Sequence, residues 1–193
     1  MFDTICFISL AFLLVFNIGP VDSGPLVLDD FSAGNGKSSW GNDWKMFTDR
    51  VMGGVSTASY TFVEEDGNRC VHLTGDVSLE NNGGFVQVAL PLKRKGKSLD
   101  ASAYRGIRVK VKGNGETYHV HFRNNRTILP WQYYGAPFTA ADEWRTIDIP
   151  FTAFTPYRLK KQFSPAKLKR VAIVAIGKQF QADIKVAHIE LYR

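Results

Sequence analysis

The sequence predicts an all-β fold, an antiparallel sandwich or barrel, from three observations. Eight or more segments after residue 26 have the composition of strands, and turn signals separate them about every ten residues. No segment resembles a strand–helix–strand unit, and the 17 glycines suit a chain with many turns. The length of 193 residues and the hydrophobic content of 45% are those of one globular domain with its own core.

The first strand segments lie before residue 92. "LVLDDF" begins the fold as a short strand. "STASYTFVEE" alternates polar and apolar residues, the turn Asp66-Gly67-Asn68 follows, and "RCVHLTGDVSL" returns, which predicts a β-hairpin. Cys70 lies in the returning strand, where we expect a small buried side chain. "GFVQVALPL" supplies the next strand.

The later segments continue the alternation. "GIRVKVKG" places Ile107, Val109 and Val111 on one face and basic residues on the other. "ETYHVHFR" and "WRTIDIPF" alternate likewise, and "RVAIVAIG" is apolar throughout, as expected of a strand covered on both faces. "DIKVAHIELYR" changes its apolar phase between Val186 and Ile189, which predicts a β-bulge. Only "SPAKLKR" resembles a helical turn.

The first 23 residues differ from the rest of the chain. Residues 4–18 form an apolar run of about fifteen residues, shorter than the roughly twenty that a membrane-spanning helix needs. The stretch "VDS" then ends in a small residue suited to cleavage before Gly24. We therefore expect a signal peptide over residues 1–23, a periplasmic or secreted location, and a folded domain over residues 24–193. The alternative is a membrane anchor formed by residues 4–18.

Two short segments, "DRVMGGVS" and "LENNGGF", share a pattern of a polar side chain, paired glycines and a following strand. Glycine allows a positive φ or a close approach of another group, and aspartate accepts hydrogen bonds from turn amides. We predict that the two loops lie side by side at one edge of the sandwich, with Asp49 bonding backbone amides. Whether they only turn the chain or also present a binding surface stays open. The loop residues of the pattern are Asp49, Met52, Gly53, Gly54, Ser56, Asn82, Gly83, Gly84 and Phe85.

The segment "HVHFRNNRTILPWQYYGAPF" is the richest in candidate binding residues. His119 and His121 share a strand face and are weak candidates for a zinc or copper site, because no third ligand stands out. An aromatic side chain beside Arg and Asn suits a sugar ring, which stacks on the aromatic face while its hydroxyls find polar partners. The alternative is that these aromatic residues cap the core. The candidate binding residues are Asp49, Ser56, Asn82, Arg123, Trp131, Gln132 and Tyr134.

Known catalytic signatures are missing from the sequence. It contains no G-x-S-x-G elbow, no H-E-x-x-H motif and no P-loop. Asp49, Asp76 and Glu80 are the carboxylates from which a glycosidase pair would come, and the sequence gives no distance between them. We therefore expect a protein that is not an enzyme and uses no cofactor.

The formal net charge of +6 arises partly from two basic clusters. One is "KRKGK" at residues 93–97, and the other combines Arg158, Lys160 and Lys161 with the basic residues of "KLKR". Both are candidates for contact with an anionic membrane surface, although dispersed basic loops are usually only solvated. The expected export of the chain argues against nucleic acid as a partner.

Five segments taken together resemble the complex I intermediate-associated protein family, the thirty-kilodalton NADH dehydrogenase assembly-factor type. They are "FTDRVMGGVS", "GDVSLENNGGFVQV", "YRGIRVKVKGNGETYHVHFR", "PWQYYGAPFTAADEWRTIDIPFTAFTP" and "RVAIVAIGKQFQADIKVAHIELYR", in order over nearly all of residues 26–193. The resemblance implies a galactose-binding-domain-like jelly-roll sandwich. It also implies a non-catalytic assembly role.

Two functions follow as expectations. The first is a binding or assembly module that acts on protein partners, including a membrane respiratory complex, in an exported compartment. The second is an exported carbohydrate-binding module that uses Trp131, Tyr134, Arg123 and Asn82. The exposure of the aromatic side chains is the feature that distinguishes them.

Overall fold

Alternating apolar residues form fourteen strands within residues 24–193, the part of the chain that this computed structural model describes. The segments expected to be a signal or an anchor lie outside the described residues. Within residues 24–193, no helix is long and apolar enough to cross a membrane. The strands are β1 (Leu26–Asp29), β2 (Lys45–Thr48), β3 (Thr57–Glu65), β4 (Asn68–Val77), β5 (Phe85–Pro91), β6 (Lys93–Arg94), β7 (Lys97–Ser98), β8 (Gly106–Gly113), β9 (Thr117–Asn124), β10 (Tyr133–Thr139), β11 (Arg145–Pro150), β12 (Thr155–Tyr157), β13 (Leu168–Ile176) and β14 (Phe180–Tyr192).

The strands form two six-stranded sheets. The first sheet has the order β11-β8-β14-β4-β3, and β1 also pairs with β14. The second sheet has the order β12-β10-β9-β13-β5-β2. All strand pairs within the two sheets are antiparallel, and β6 and β7 form a separate hairpin. The predicted all-β antiparallel jelly-roll sandwich is therefore confirmed.

The core lies between the two sheets and is built from the side chains that alternation turns inward. Ile107, Val109 and Val111 of β8 are fully buried there, as the sequence predicts. Tyr118, Val120 and Phe122 of β9 meet them from the second sheet's inner face. At about 25 cal/mol for each Å² of buried apolar surface, this core is the main source of stability.

Local features of the chain also test the sequence predictions. The β3–β4 hairpin forms, and its two turn residues, Asp66 and Gly67, have φ values of 52° and 71°, as a tight hairpin turn requires. The predicted bulge in β14 is present, because the pairing register with β8 shifts between Val186 and His188. The prediction of a helical turn in "SPAKLKR" is wrong. Pairing with β9 extends β13 back to Leu168, so only a turn precedes that strand.

Burial of individual strands follows the sequence as well. Cys70 on β4 is a free, buried cysteine, and burial raises the pKa of its thiol to about 11. Strand β13 is covered on both faces, as its continuous apolar run predicts. Ile173 enters the main core, whereas Ala172 and Val174 are buried in a smaller cluster on the outer face of the second sheet.

Candidate functional site

A buried carboxylate, Asp49, joins the two glycine loops, which we define as residues 49–56 and residues 78–85. Its Oδ1 accepts the Ser56 N–H at 3.0 Å, and its Oδ2 accepts the Ser56 hydroxyl at 2.5 Å. Oδ2 also accepts the Gly84 N–H of the second loop at 2.6 Å. The prediction that the loops lie side by side, with Asp49 bonding backbone amides of both, is confirmed.

The charge of Asp49 is held by these contacts. Burial alone would raise the pKa of Asp49, but hydrogen bonds from Ser56 and from the Gly84 and Phe85 N–H groups lower it below its usual value. The Ser56 hydroxyl also accepts the Ser78 N–H at 2.9 Å, which gives the loops a second connection. Because Asp49 is fully buried with both oxygens engaged, it does not face a substrate as one of a glycosidase pair.

The first glycine loop is a capped turn of 3-10 helix. Thr48 is the N-cap residue of the helix Asp49–Met52, and Gly53 ends it with a φ of 90°, a left-handed conformation that favours glycine. Gly54 is required for a different reason. A Cβ at this position would lie well inside van der Waals distance of the Asp49 carboxylate.

In the second glycine loop the order is reversed: the first glycine makes room for Asp49 and the second has a positive φ. Asn81 and Asn82 have φ values of 54° and 58°, which asparagine tolerates better than most residues. A Cβ at Gly83 would collide with Asp49 Oδ2, and Gly84 has a φ of 127°. One glycine of each pair therefore leaves room for Asp49, and the other supplies a positive φ.

The two loops also carry an apolar patch that faces solvent. The exposed fraction is 68% for Val51, 47% for Met52, 37% for Val55 and 51% for Leu79. We call these four residues the loop patch. Exposed apolar side chains grouped on well-held loops are typical of recognition surfaces.

A stack of three rings lies on the outer face of the second sheet. The His121 ring is stacked on Tyr133 with centroids 3.7 Å apart, and Tyr133 is stacked on Tyr157 at 4.7 Å. Gly135 lies beneath the stack, where a Cβ would press on His121 and Tyr133. The rings cover one another's faces, and His121 is buried.

The two weak metal candidates belong to this face. The rings of His119 and His121 meet edge to face with centroids 5.8 Å apart. Burial lowers the pKa of both imidazoles, and that of His121 lies well below its usual value, so His121 is neutral. Its Nε2 is buried without a hydrogen-bond partner among the described residues. Residues 24–193 contain no group of three or more His, Cys, Asp or Glu side chains that would hold a metal ion.

Two predicted binding residues hold a loop rather than face solvent. The Arg123 guanidinium donates to the carbonyl oxygens of Thr127, Leu129 and Pro130 at 2.8–3.2 Å. Gln132 accepts two backbone N–H groups of the same loop at 2.9 and 3.1 Å. The loop that they hold exposes Ile128, Leu129 and Trp131, and 42% of Trp131 is accessible.

The predicted carbohydrate residues do not form one cluster. Tyr134 is fully buried in the core, because Tyr134, Ala136 and Phe138 share the inward face of β10. Asn82 precedes one end of β5, while Arg123 lies beside the other end, which the length of a seven-residue strand sets about 20 Å away. Trp131 and Arg123 are brought together at one end of the sheet; Asn82 and Tyr134 are not part of that group.

Arg170 also lies on the outer face and differs from the other basic residues of its cluster. It is half-buried, and its guanidinium lies 5.2 Å from the centre of the Phe47 ring. Burial lowers the pKa of Arg170 to about 10, and the nearby Arg123 adds to this effect. The hairpin of residues 93–98, in contrast, is exposed as expected of a solvated basic cluster.

Sequence reasoning did not single out Tyr133, Tyr157 or Arg170 as residues of this face, although Arg170 belongs to the second basic cluster. The alternation of "YYGAPFT" contains the signal for the first, because Tyr133 must face outward if Tyr134 faces the core. The sequence gives no comparable signal for the contact of Arg170 with Phe47, since it depends on strands that are far apart in the chain.

Comparison of sequences identifies the family. A sequence model of the family described as complex I intermediate-associated protein 30 (CIA30) matches residues 31–186. The chain belongs to this family. The match confirms the resemblance noted in the sequence, and it includes both glycine loops of the CIA30 chain. No curated protein matches the sequence significantly.

Solved structures similar to the CIA30 chain include carbohydrate-binding modules. One is a family 11 module from Clostridium thermocellum in complex with a β-1,3-1,4-mixed-linked tetrasaccharide. It is 17% identical to this chain with a TM-score of 0.65, and the aligned region covers 89% of this chain and 97% of the module. A family 30 module of a cellulosomal cellulase from the same organism is 17% identical with a TM-score of 0.52 and covers 70% and 81%. At this identity the likeness shows a shared fold.

Proposed function

We propose that this CIA30 chain is a non-catalytic binding module that associates with protein partners during assembly of a multi-subunit complex. The observation that carries the proposal is the loop patch. Val51, Met52, Val55 and Leu79 are held toward solvent by loops that Asp49 fixes. A rigid apolar surface loses little entropy on binding, so it favours association with a protein surface. The family's description as complex I intermediate-associated points to a respiratory complex as the partner.

Loss of the loop patch should release the partner without unfolding the domain. We expect Met52→Ser combined with Leu79→Ser to abolish co-purification of one defined complex from the native host, because a few central residues carry most of the binding energy of an interface. The melting temperature should change little, since both side chains are exposed. Ile128→Ser is the matched control, because Ile128 is equally apolar, 82% exposed and outside the loop patch. Retention of the complex by the double variant would reject the loop patch as the interface.

We propose carbohydrate binding as a second candidate function, at the outer face of the second sheet. The favourable observation is an exposed indole beside a polar sheet face. Trp131 is 42% exposed, so part of its indole surface is accessible to a sugar ring. Gln87, Arg123 and Arg170 are among the polar side chains of that face.

A glycan array tests this second function. We expect specific binding that Trp131→Ala weakens by roughly fivefold or more, as loss of one aromatic stacking partner costs about 1 kcal/mol or more. Phe62→Ala is the control, because Phe62 is 39% exposed on the opposite sheet. If both variants bind glycans like the unchanged chain, Trp131 is not a sugar platform.

We also propose that the chain acts in an exported compartment after removal of residues 1–23. The apolar run of residues 4–18 and the small residue before Gly24 motivate this proposal. Intact-mass measurement on protein recovered from its host should give a chain that begins at Gly24. A full-length mass in the membrane fraction would instead indicate an anchor.

A further inference from the structure

We infer that the outer face of the second sheet binds an acidic polysaccharide whose sugar rings carry carboxylates, with Arg170 as the residue that pairs with the carboxylate. This inference deepens the second proposed function and rests on it. It assigns an acidic ligand to this chain, in contrast to the neutral tetrasaccharide bound by the similar family 11 module.

The first observation is the one-sided charge of the sheet. None of the six strands β2, β5, β9, β10, β12 and β13 contains Asp or Glu. The same strands contribute the cations Lys45, Arg123 and Arg170 to the outer face. On the first sheet, by contrast, Arg108 is paired with Asp148 at 2.6 Å and with Glu190 at 3.0 Å. The second sheet therefore has cations with no carboxylate of its own.

Arg170 is the centre of this imbalance. Its side chain makes no hydrogen bond or ion pair with any residue in the described part of the chain, although it is half-buried. Arg123, the neighbouring guanidinium, is fully occupied by the carbonyl oxygens of its loop. An arginine that is partly desolvated and unpaired is expected to bind an anion. A carboxylate suits it, because a guanidinium forms two parallel hydrogen bonds with the two carboxylate oxygens.

Small buried side chains without acceptor groups lie beside Arg170. The pairing register places Ala89 and Ala172 side by side on the outer face, between the positions of Arg170 and Phe47. His121 lies opposite Ala172 on the next strand, and its buried Nε2 has no hydrogen-bond partner within residues 24–193. Arg170 also acts on this ring electrostatically. Burial lowers the pKa of His121 most, and the charges of His119 and Arg170 lower it further.

These groups match an acidic sugar better than a bare anion or a neutral one. The planar guanidinium of Arg170 fits the two coplanar oxygens of a carboxylate. Trp131, at the Arg123 end of the sheet, supplies a face for a neighbouring sugar ring. A sulfate ester, an acidic peptide or a neutral glucan would use only part of this set.

Calorimetric titration of the purified full chain tests the inference with four probes: polygalacturonate oligomers, β-1,3-1,4-glucan oligomers, dextran sulfate and poly-glutamate. We expect polygalacturonate to bind, and Arg170→Gln to weaken it roughly tenfold or more, the value of one charge-assisted hydrogen bond. Arg170→Lys should lose most of the affinity as well, because an ammonium has no planar fork. Arg145→Gln is the control, an equal loss of charge at an exposed position on β11 of the first sheet. The melting temperature should show that each variant is folded.

Each other outcome has a defined meaning. Binding of the neutral glucan alone would overturn the inference and leave carbohydrate binding standing. Absence of binding to all glycans would overturn both. Tighter binding of dextran sulfate or poly-glutamate would reject a sugar carboxylate as the ligand group. An equal loss of affinity in Arg145→Gln and Arg170→Gln would show unspecific attraction to a polyanion and reject Arg170 as the site.

Discussion

Asp49→Ala should lower the free energy of unfolding by about 4 kcal/mol. The substitution leaves the N–H groups of Ser56 and Gly84 buried without an acceptor, and each stranded group costs about 1–3 kcal/mol. It also removes the connection between the two glycine loops. For a chain of this size each kcal/mol shifts the melting temperature by roughly 2–4 °C, so we expect a fall of roughly 8–16 °C in thermal unfolding.

Asp142→Ala is the matched control for this prediction, because Asp142 is exposed and should change stability by less than about 0.5 kcal/mol. The pH dependence gives a second check. Since folding lowers the pKa of Asp49, its stabilisation is complete above the unfolded-state pKa of about 3.9 and is lost as the pH falls through the folded-state value. The stability gap between the unchanged chain and the variant should therefore narrow in acid. A variant that melts like the unchanged chain but loses a partner would make the loops a recognition surface only.

The joining of the loops was predictable because its signal is local. An aspartate near paired glycines indicates a turn that accepts its own amides, and two copies of one pattern indicate a shared structure. Alternation likewise placed Ile107 and Val109 in the core, because side chains on a strand have a period of two.

The composition of the outer face was not predictable in the same way. Arg123 and Asn82 are polar residues of suitable type, but strand register sets them at opposite ends of the sheet. Arg170 follows two lysines, so it resembles a solvated basic cluster, and only the pairing of β13 with β5 and of β5 with β2 brings it near Phe47. A local sequence pattern does not reveal contacts between strands that are distant in the chain. Binding surfaces are therefore hard to predict from sequence, because they combine residues from several strands.

The roles of the two glycines in the first loop should separate under substitution. Gly54→Ala places a Cβ against the Asp49 carboxylate, which must move and lose hydrogen bonds, so we expect a loss of about 2–4 kcal/mol. Gly53→Ala is the matched control. At Gly53 a Cβ meets no atom within 4 Å, so only the φ of 90° is unfavourable and the cost should be about 1–2 kcal/mol.

A double-mutant cycle in denaturant unfolding shows whether Asp49 is the reason for Gly54. In the Asp49→Ala background the carboxylate is gone, although the Cβ of residue 49 still lies 2.8 Å from the new methyl group, so the part of the cost that comes from displacing the carboxylate should disappear. The coupling energy between the two positions should be about 1–3 kcal/mol, whereas Gly53→Ala should add to Asp49→Ala within about 0.5 kcal/mol. If the costs of Gly54→Ala and Asp49→Ala are instead additive, Gly54→Ala costs the same whether or not the carboxylate is present. Glycine at position 54 would then be required by the backbone and not by the carboxylate.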